Sequence, residues 1–237
     1  MPKTILVTLG PSSLSENVVR RCAAYGVYLF RINLSHTRIE DVVPTIKKIR
    51  SWTDIPICLD SEGAQLRNQD MVNEMVYFKQ GDSVKIHFVP IVGDSNNISF
   101  SPTKITRQLL AGDEIKIDFD HVLLRVDDIK DDCAMATVIE GGTVGSNKAS
   151  DIGRNLDFQA VTKKDKEAIA IGLENGIRHF ALSFTNCRED VSQMRALCGP
   201  DASIICKIES RLALTNFEDI LEAADEILVD RGDLSRQ

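Results

Sequence analysis

No stretch of this 237-residue chain is apolar over the roughly 20 residues that a membrane helix needs, so a spanning segment is not expected. A basic excess is missing too. Lysine and arginine total 28 against 35 acidic residues, a net charge of −7, which argues against a non-specific nucleic-acid face. None of the six cysteines, Cys22, Cys58, Cys133, Cys187, Cys198 and Cys206, forms a CxxC pair. Cys22, Cys58 and Cys206 sit in apolar periodic stretches, so reduced thiols packed as small hydrophobes are expected rather than a disulfide or zinc framework. The opening MPKTILVTLG has no long apolar core and no small-residue cleavage site. It does not read as a signal peptide, and a cytoplasmic location is the default expectation.

Hydrophobic residues make up 43% and charged residues 27%, an ordinary globular mix for one large or two smaller domains. Strand and helix periods alternate at the start. Ile5–Thr8 reads as a strand, Ser13-Leu-Ser-Glu16 as a capping box opening a helix that Gly26 stops, and Val27–Asn33 as a second strand. Ile39–Trp52 reads as an amphipathic helix, with Pro44 tolerable near its start, and Ile57–Asp60 as a third strand. Such tight units imply parallel strands joined by crossover helices.

From Asn68 to about Asn147 the helical period disappears. Ser83–Pro90, Glu114–Ile117, Val122–Val126 and Ala134–Val138 read as short strands between turn signals such as Gly112-Asp113 and Gly141-Gly142. Alternation then resumes. Thr162-Lys-Lys-Asp165 opens a helix, and strands follow at His179–Phe184, Ser203–Glu209 and Glu226–Asp233, with helices opening at Asn186 and Thr215 between them. The expected fold is α/β: an incomplete (β/α)8 TIM-type barrel with six strands present, interrupted by a small β-barrel domain. The expected division is 1–67 and 155–237 for the barrel and 68–154 for the insert. A doubly wound open sheet is the competing architecture. Six strands leave open edges, so the chain is expected to come from a longer protein or to pair with something that completes it.

Polar residues collect at the C-terminal ends of these strands. Residues i and i+2 share a face, so Arg31 projects with Asn33, Lys207 with Glu209, and Arg231 with Asp233. Each pair faces either the helix layer, where unpaired charge is costly, or the barrel axis, where all can gather around one pocket. Glu209 and Asp233 are hard oxygen ligands suited to Mg²⁺. Arg31 and Lys207 suit phosphate, the first as a fork and the second as a point charge. Asn33, Ser35, Asp60 and Ser61 offer oxygens for a second, larger cation. Two cation sites beside two basic side chains read as phosphoryl transfer. His36 is a nucleotide-pocket candidate by its place after Ser35, whereas His87, His121 and His179 show no partner pattern.

Thr8-Leu-Gly-Pro-Ser-Ser13, Arg31-Ile-Asn-Leu-Ser-His36, Leu59-Asp-Ser-Glu-Gly-Ala-Gln-Leu-Arg67, Cys206-Lys-Ile-Glu209 and Val229-Asp-Arg-Gly-Asp-Leu234 resemble, in order, the signature stretches of pyruvate kinases. Asn216–Leu221 and Leu156–Asp165 are similar to further family segments, while the insert matches weakly. The resemblance implies reversible phosphoryl transfer between phosphoenolpyruvate and ADP, giving pyruvate and ATP, a step of glycolysis. It implies that Lys207 and Arg31 hold the transferring phosphoryl group as catalytic residues. Glu209 and Asp233 would ligate Mg²⁺ (or Mn²⁺), and Gly232 and Asp233 backbone N–H groups would receive the substrate carboxylate. Asn33, Ser35, Asp60 and Ser61 would hold K⁺. Asn33, His36, Arg67 and Lys148 would serve the nucleotide, and the insert would act as a lid. The full-length protein is expected to be a homo-oligomer without nucleic-acid or membrane partners. Asp230 stands where the family usually has alanine, and strand alternation would point it away from the pocket. A catalytically silent relative and a metal-dependent enolate lyase on the same barrel are the competing functions.

Overall fold

The structure is a computed structural model that describes residues 4–63, 65–118, 121–154 and 156–235. Ala64, inside the third of the motifs above, lies outside the described residues. Two compact units emerge: residues 1–64 with 159–237, and residues 65–158.

The first unit begins β1 (Leu6–Leu9), α1 (Glu16–Ala24), β2 (Leu29–Asn33), α2 (Ile39–Arg50), β3 (Ile57–Asp60). The second unit supplies β4 (Leu66–Asn68), β5 (Met75–Phe78), β6 (Ser83–His87), β7 (Asn97–Ser101), α3 (Thr103–Thr106), β8 (Glu114–Ile117), β9 (Val122–Ile129), β10 (Cys133–Glu140), β11 (Gly142–Gly145) and β12 (Ala149–Ile152). The first unit then resumes with α4 (Lys163–Glu174), β13 (His179–Leu182), α5 (Arg188–Cys198), β14 (Ser203–Ile208), α6 (Arg211–Thr215), α7 (Phe217–Ala223), β15 (Glu226–Val229) and α8 (Arg231–Leu234).

The first unit is a half-barrel: a parallel six-stranded sheet in the order β1-β2-β3-β13-β14-β15. The order follows the chain without reversal, so the strand shuffle of a doubly wound sheet is not present. One face is covered by helices. Phe30, Ile32, Leu59, Phe180 and Ile204 bury there with Val42, Ile46, Ala168, Ile169 and Met194 of the helix layer. Gly172 of α4 lets that layer approach closely, since a Cβ there would lie 2.7 Å from Leu59 Cδ1.

Helix starts explain themselves unevenly. The helix start expected at Thr162 forms as a capping box, with Asp165 N–H donating to Thr162 Oγ1 at 3.1 Å and Thr162 N–H to Asp165 Oδ2 at 3.0 Å. The box expected at Ser13 does not. The Ser13 hydroxyl instead accepts from Gly10 N–H at 2.9 Å and closes a turn, and α1 starts after Ser15. The last strand is shorter than expected. It stops at Val229, and Arg231–Leu234 forms a helical turn capped by the Asp230 side chain.

The second unit is a closed β-barrel in the order β10-β6-β7-β4-β12-β8-β9, with β5 and β11 as a separate two-stranded sheet. Its core is its own, built on Phe78, Ile86, Phe100, Ile115, Leu124 and Val138. Four of its strands, β4, β7, β11 and β12, are short and carry Asn, Ser and Gly, which hid them from a β-propensity reading. The described cysteines are all free, with Cys58, Cys133, Cys198 and Cys206 buried. Burial pushes the Cys198 thiol up to about 12 and the Cys206 thiol up to about 11. No helix is long and apolar enough to cross a membrane among the described residues.

Candidate active site

Strand alternation builds the site. On the sheet face opposite the helices, Leu29, Cys58, Ala181 and Ile205 form one buried apolar layer. Two residues further along the same strand paths stand Arg31, Asp60, Ser183 and Lys207, and two further again Asn33 and Glu209. The register staggers these positions by two residues from strand to strand, as in a barrel: Arg31 pairs with Cys58 and Asn33 with Asp60 across β2 and β3, and Asp60 with Ala181 across β3 and β13. Charge is therefore gathered at the C-terminal ends of the strands rather than set against the helices.

Lys207 is the hub. Its Nζ donates to Ser183 Oγ at 3.0 Å, lies 2.9 Å from Glu209 Oε1 and lies 3.6 Å from Asp60 Oδ1. Only 6% of the residue is exposed, so an unpaired ammonium could not be held there. Burial alone would depress the Lys207 pKa, but Asp60 and Glu209 reverse that and hold it above its ordinary value. The same burial pushes Asp60 and Glu209 above the usual carboxylate range, opposed in both by Lys207. Two dry carboxylates share one ammonium, so the lysine stays charged and each carboxylate keeps capacity for a further cation.

Arg31 donates from Nε to Thr8 Oγ1 at 2.8 Å and lies 3.4 Å from Asp60 Oδ2 through Nη1. Asp60 Oδ2 is buried and accepts no hydrogen bond. Asn33 Oδ1 takes the N–H of Ser35 at 2.9 Å, and Ser61 Oγ takes that of Ser183 at 2.9 Å. Each of these oxygens has a further lone pair. The orphaned Asp60 oxygen and this neutral oxygen set fit a monovalent cation at Asn33, Ser35, Asp60 and Ser61.

Glu209 Oε2 accepts the Phe184 N–H at 2.7 Å. Phe184 adopts φ +51°, a left-handed conformation unusual for an aromatic residue, at the point where its amide meets Glu209. Glu209 Oε1 is buried and accepts no hydrogen bond of good geometry, only the close charge of Lys207. One carboxylate oxygen from each of Glu209, Asp230 and Asp233 lies within 4.8 Å of the others. Three carboxylate oxygens gathered this closely are hard ligands that fit a divalent cation such as Mg²⁺.

The structure corrects two expectations here. Arg231 and Asp233 are not strand neighbours sharing a face but lie in the turn of α8. Asp230 does not point away from the pocket, because it lies past the end of β15, where alternation no longer applies. The Gly232 and Asp233 N–H groups donate to Asp230 Oδ1 at 3.1 and 3.5 Å.

Ser183, Phe184 and Asp165 were missed by sequence reasoning. Ser183 Oγ donates to Ser61 O at 2.8 Å, with Asp60 Oδ1 at 3.3 Å as the alternative acceptor. Extending the i+2 rule from Ala181 past the end of β13 would have found it. Gly63 allows the close approach of its loop to Ser183. Its φ is +73°, and a Cβ there would lie 2.7 Å from Ser183 Cβ. Gly63→Ala is expected to cost about 1–3 kcal/mol, read as a lowered melting temperature. An unchanged melt would contradict this packing.

The nucleotide candidates belong to both units. In the first, His36 is exposed and its N–H donates to Asn33 O at 3.2 Å. In the second, Arg67 pairs across β4 and β12 with Ala149, beside Lys148. Arg67 Nη1 donates to Asn147 O at 3.0 Å, and Lys148 Nζ lies 3.4 Å from Asp118 Oδ2.

Fold and rim define a class: a parallel half-barrel whose strand ends carry two cations facing hard-oxygen clusters, suited to an anionic ligand and metal ions. A family profile described as "Pyruvate kinase, barrel domain" matches residues 1–236, and the chain belongs to the pyruvate kinase family. It is 30% identical to a pyruvate kinase of Thermococcus litoralis over 97% of this chain and 50% of that protein. It is 32% identical to one of Bacillus licheniformis over 99% of this chain and 42% of that protein. A pyruvate kinase of Encephalitozoon cuniculi is 28% identical over 97% of this chain and 54% of its own. The chain thus spans about half the length of the curated relatives it matches.

Proposed function

We propose that the full-length protein is a magnesium-dependent phosphotransferase that moves a phosphoryl group between phosphoenolpyruvate and ADP, giving pyruvate and ATP in glycolysis, on a completed (β/α)8 barrel. The observation that carries the proposal is the buried Lys207 ammonium, held between Asp60, Glu209 and Ser183 on one rim with Arg31. In phosphoryl transfer the protein mainly positions groups and neutralises charge as it develops. Lys207 and Arg31 supply the two positive charges for the phosphoryl oxygens. Ser183 fixes the Lys207 ammonium. The Gly232 and Asp233 amides, which already carry a carboxylate, are the groups proposed to receive that of the substrate.

Glu209 and Asp233 would hold the divalent cation, which when bound supplies charge neutralisation at the phosphate. Asn33, Ser35, Asp60 and Ser61 would hold K⁺. Asn33 and His36 in one unit, and Arg67 and Lys148 in the other, are proposed for the nucleotide. Cytoplasmic location and homo-oligomeric assembly go with this reading. The test is pyruvate formation from phosphoenolpyruvate and ADP by the full-length protein, with Mg²⁺ and K⁺ varied separately. Turnover that needs Mg²⁺ and rises with K⁺ is expected. Binding of phosphoenolpyruvate without turnover would favour a silent relative, and its consumption without ATP would favour an enolate lyase.

A further inference from the structure

At the end of β15 the chain leaves the sheet with an acidic residue and turns at once into α8. The Asp230 side chain caps that turn, its Oδ1 accepting from Gly232 N–H at 3.1 Å and from Asp233 N–H at 3.5 Å. Capping fixes the carboxylate on the same side as the Glu209 and Asp233 carboxylates. One oxygen from each of the three lies within 4.8 Å of the others. Three carboxylate oxygens at that separation favour a cation among them.

A second observation is independent of the turn. Glu209 is 1% exposed, its Oε2 is taken by the Phe184 N–H, and its Oε1 lies 2.9 Å from Lys207 Nζ without a hydrogen bond of good geometry. A carboxylate oxygen held by one poorly aligned charge keeps a lone pair for a cation. Lys207 provides charge to Glu209, but it is shared with Asp60. The donor set is all carboxylate oxygen, which selects hard divalent ions such as Mg²⁺ and Mn²⁺ over softer metals.

We propose that, before substrate binds, Asp230 is a third carboxylate ligand of the divalent-cation site, held in place by the backbone amides of its own turn that the substrate carboxylate would later take. The proposal rests on the reading of Glu209 and Asp233 as metal ligands and extends it. Asp230 adds a third negative charge to the site, which tightens cation binding.

The test is Mn²⁺ binding, followed by loss of the free-ion electron paramagnetic resonance signal, on the full-length protein without substrate. Asp230→Asn keeps a good N-cap while removing the charge, and Asp230→Ser does the same with a different cap. Outer-sphere partners alone are worth 10–100-fold in metal affinity, so losing a charged ligand is expected to weaken Mn²⁺ binding by about tenfold or more. Both variants are expected to show that loss with wild-type melting temperatures without metal. Glu209→Gln serves as the control for the underlying reading. Wild-type affinity in both Asp230 variants, together with weakened binding in Glu209→Gln, would overturn the Asp230 assignment alone. Absence of any saturable Mn²⁺ site in the wild type would overturn the metal reading and the proposal with it.

Discussion

Lys207→Met in the full-length protein is expected to lower turnover of phosphoenolpyruvate and ADP by roughly 10³-fold or more, the scale on which single cations act in phosphoryl transfer. The loss should fall on kcat more than on KM, because a charge that acts on the developing transition state does little for the ground state. Methionine matches the length of the lysine stem and its apolar character, so the substitution removes the ammonium and leaves the packing. It also leaves Asp60 and Glu209 without their shared cation. Arg31, 3.4 Å from Asp60, can offset only part of that. Retention of more than a tenth of wild-type kcat would contradict the role given to Lys207.

The largest expected loss of stability is at Asp165. Its side chain is fully buried and accepts from Glu62 N–H at 2.7 Å, Gly63 N–H at 3.3 Å, Thr162 N–H at 3.0 Å and Thr162 Oγ1 at 2.8 Å. One carboxylate thus caps α4 and anchors the loop that follows β3. That loop carries Ser61, whose hydroxyl holds the Ser183 amide. Asp165→Ala strands several buried donors at once and is expected to cost about 3–5 kcal/mol. For a chain of this size that is a fall of roughly 10 °C in melting temperature. Asp165→Asn keeps one acceptor oxygen and should lose less. A melt within a degree of wild type for the alanine variant would show that the loop is anchored elsewhere.

Much of this site was legible in the sequence because its chemistry rides on strand period. Arg31 with Asn33, and Lys207 with Glu209, need only the two-residue repeat and the cost of burying charge to be set on one rim. Ser183 escaped because its role depends on partners more than 20 residues away, Lys207, Asp60 and Ser61, that no local pattern joins to it. Thr162-Lys-Lys-Asp165 was legible as a helix start, but not the part that the Asp165 side chain plays in it. Its hold on the Glu62 and Gly63 amides is tertiary and left no local trace.

The misreading of Asp230 has a different cause. Alternation gives a direction only while the strand lasts, and a side chain that caps its own turn ends the strand. Aspartate followed by Arg-Gly-Asp is as compatible with a capped turn as with a strand end. The half-barrel order was legible from the alternation of periods. The seven-stranded closure of the insert was not, because strands such as Leu66–Asn68 and Ala149–Ile152 are too short to show a repeat.

The central claim is direct phosphoryl transfer between phosphoenolpyruvate and ADP at the Lys207 rim. Phosphorus NMR of the full-length protein with both substrates tests it most directly. The account predicts that the phosphoenolpyruvate signal falls only when Mg²⁺ is present, matched mole for mole by the γ-phosphate signal of ATP, and that neither changes in Lys207→Met. Release of inorganic phosphate in place of ATP, or equal transfer by the Lys207 variant, would contradict it.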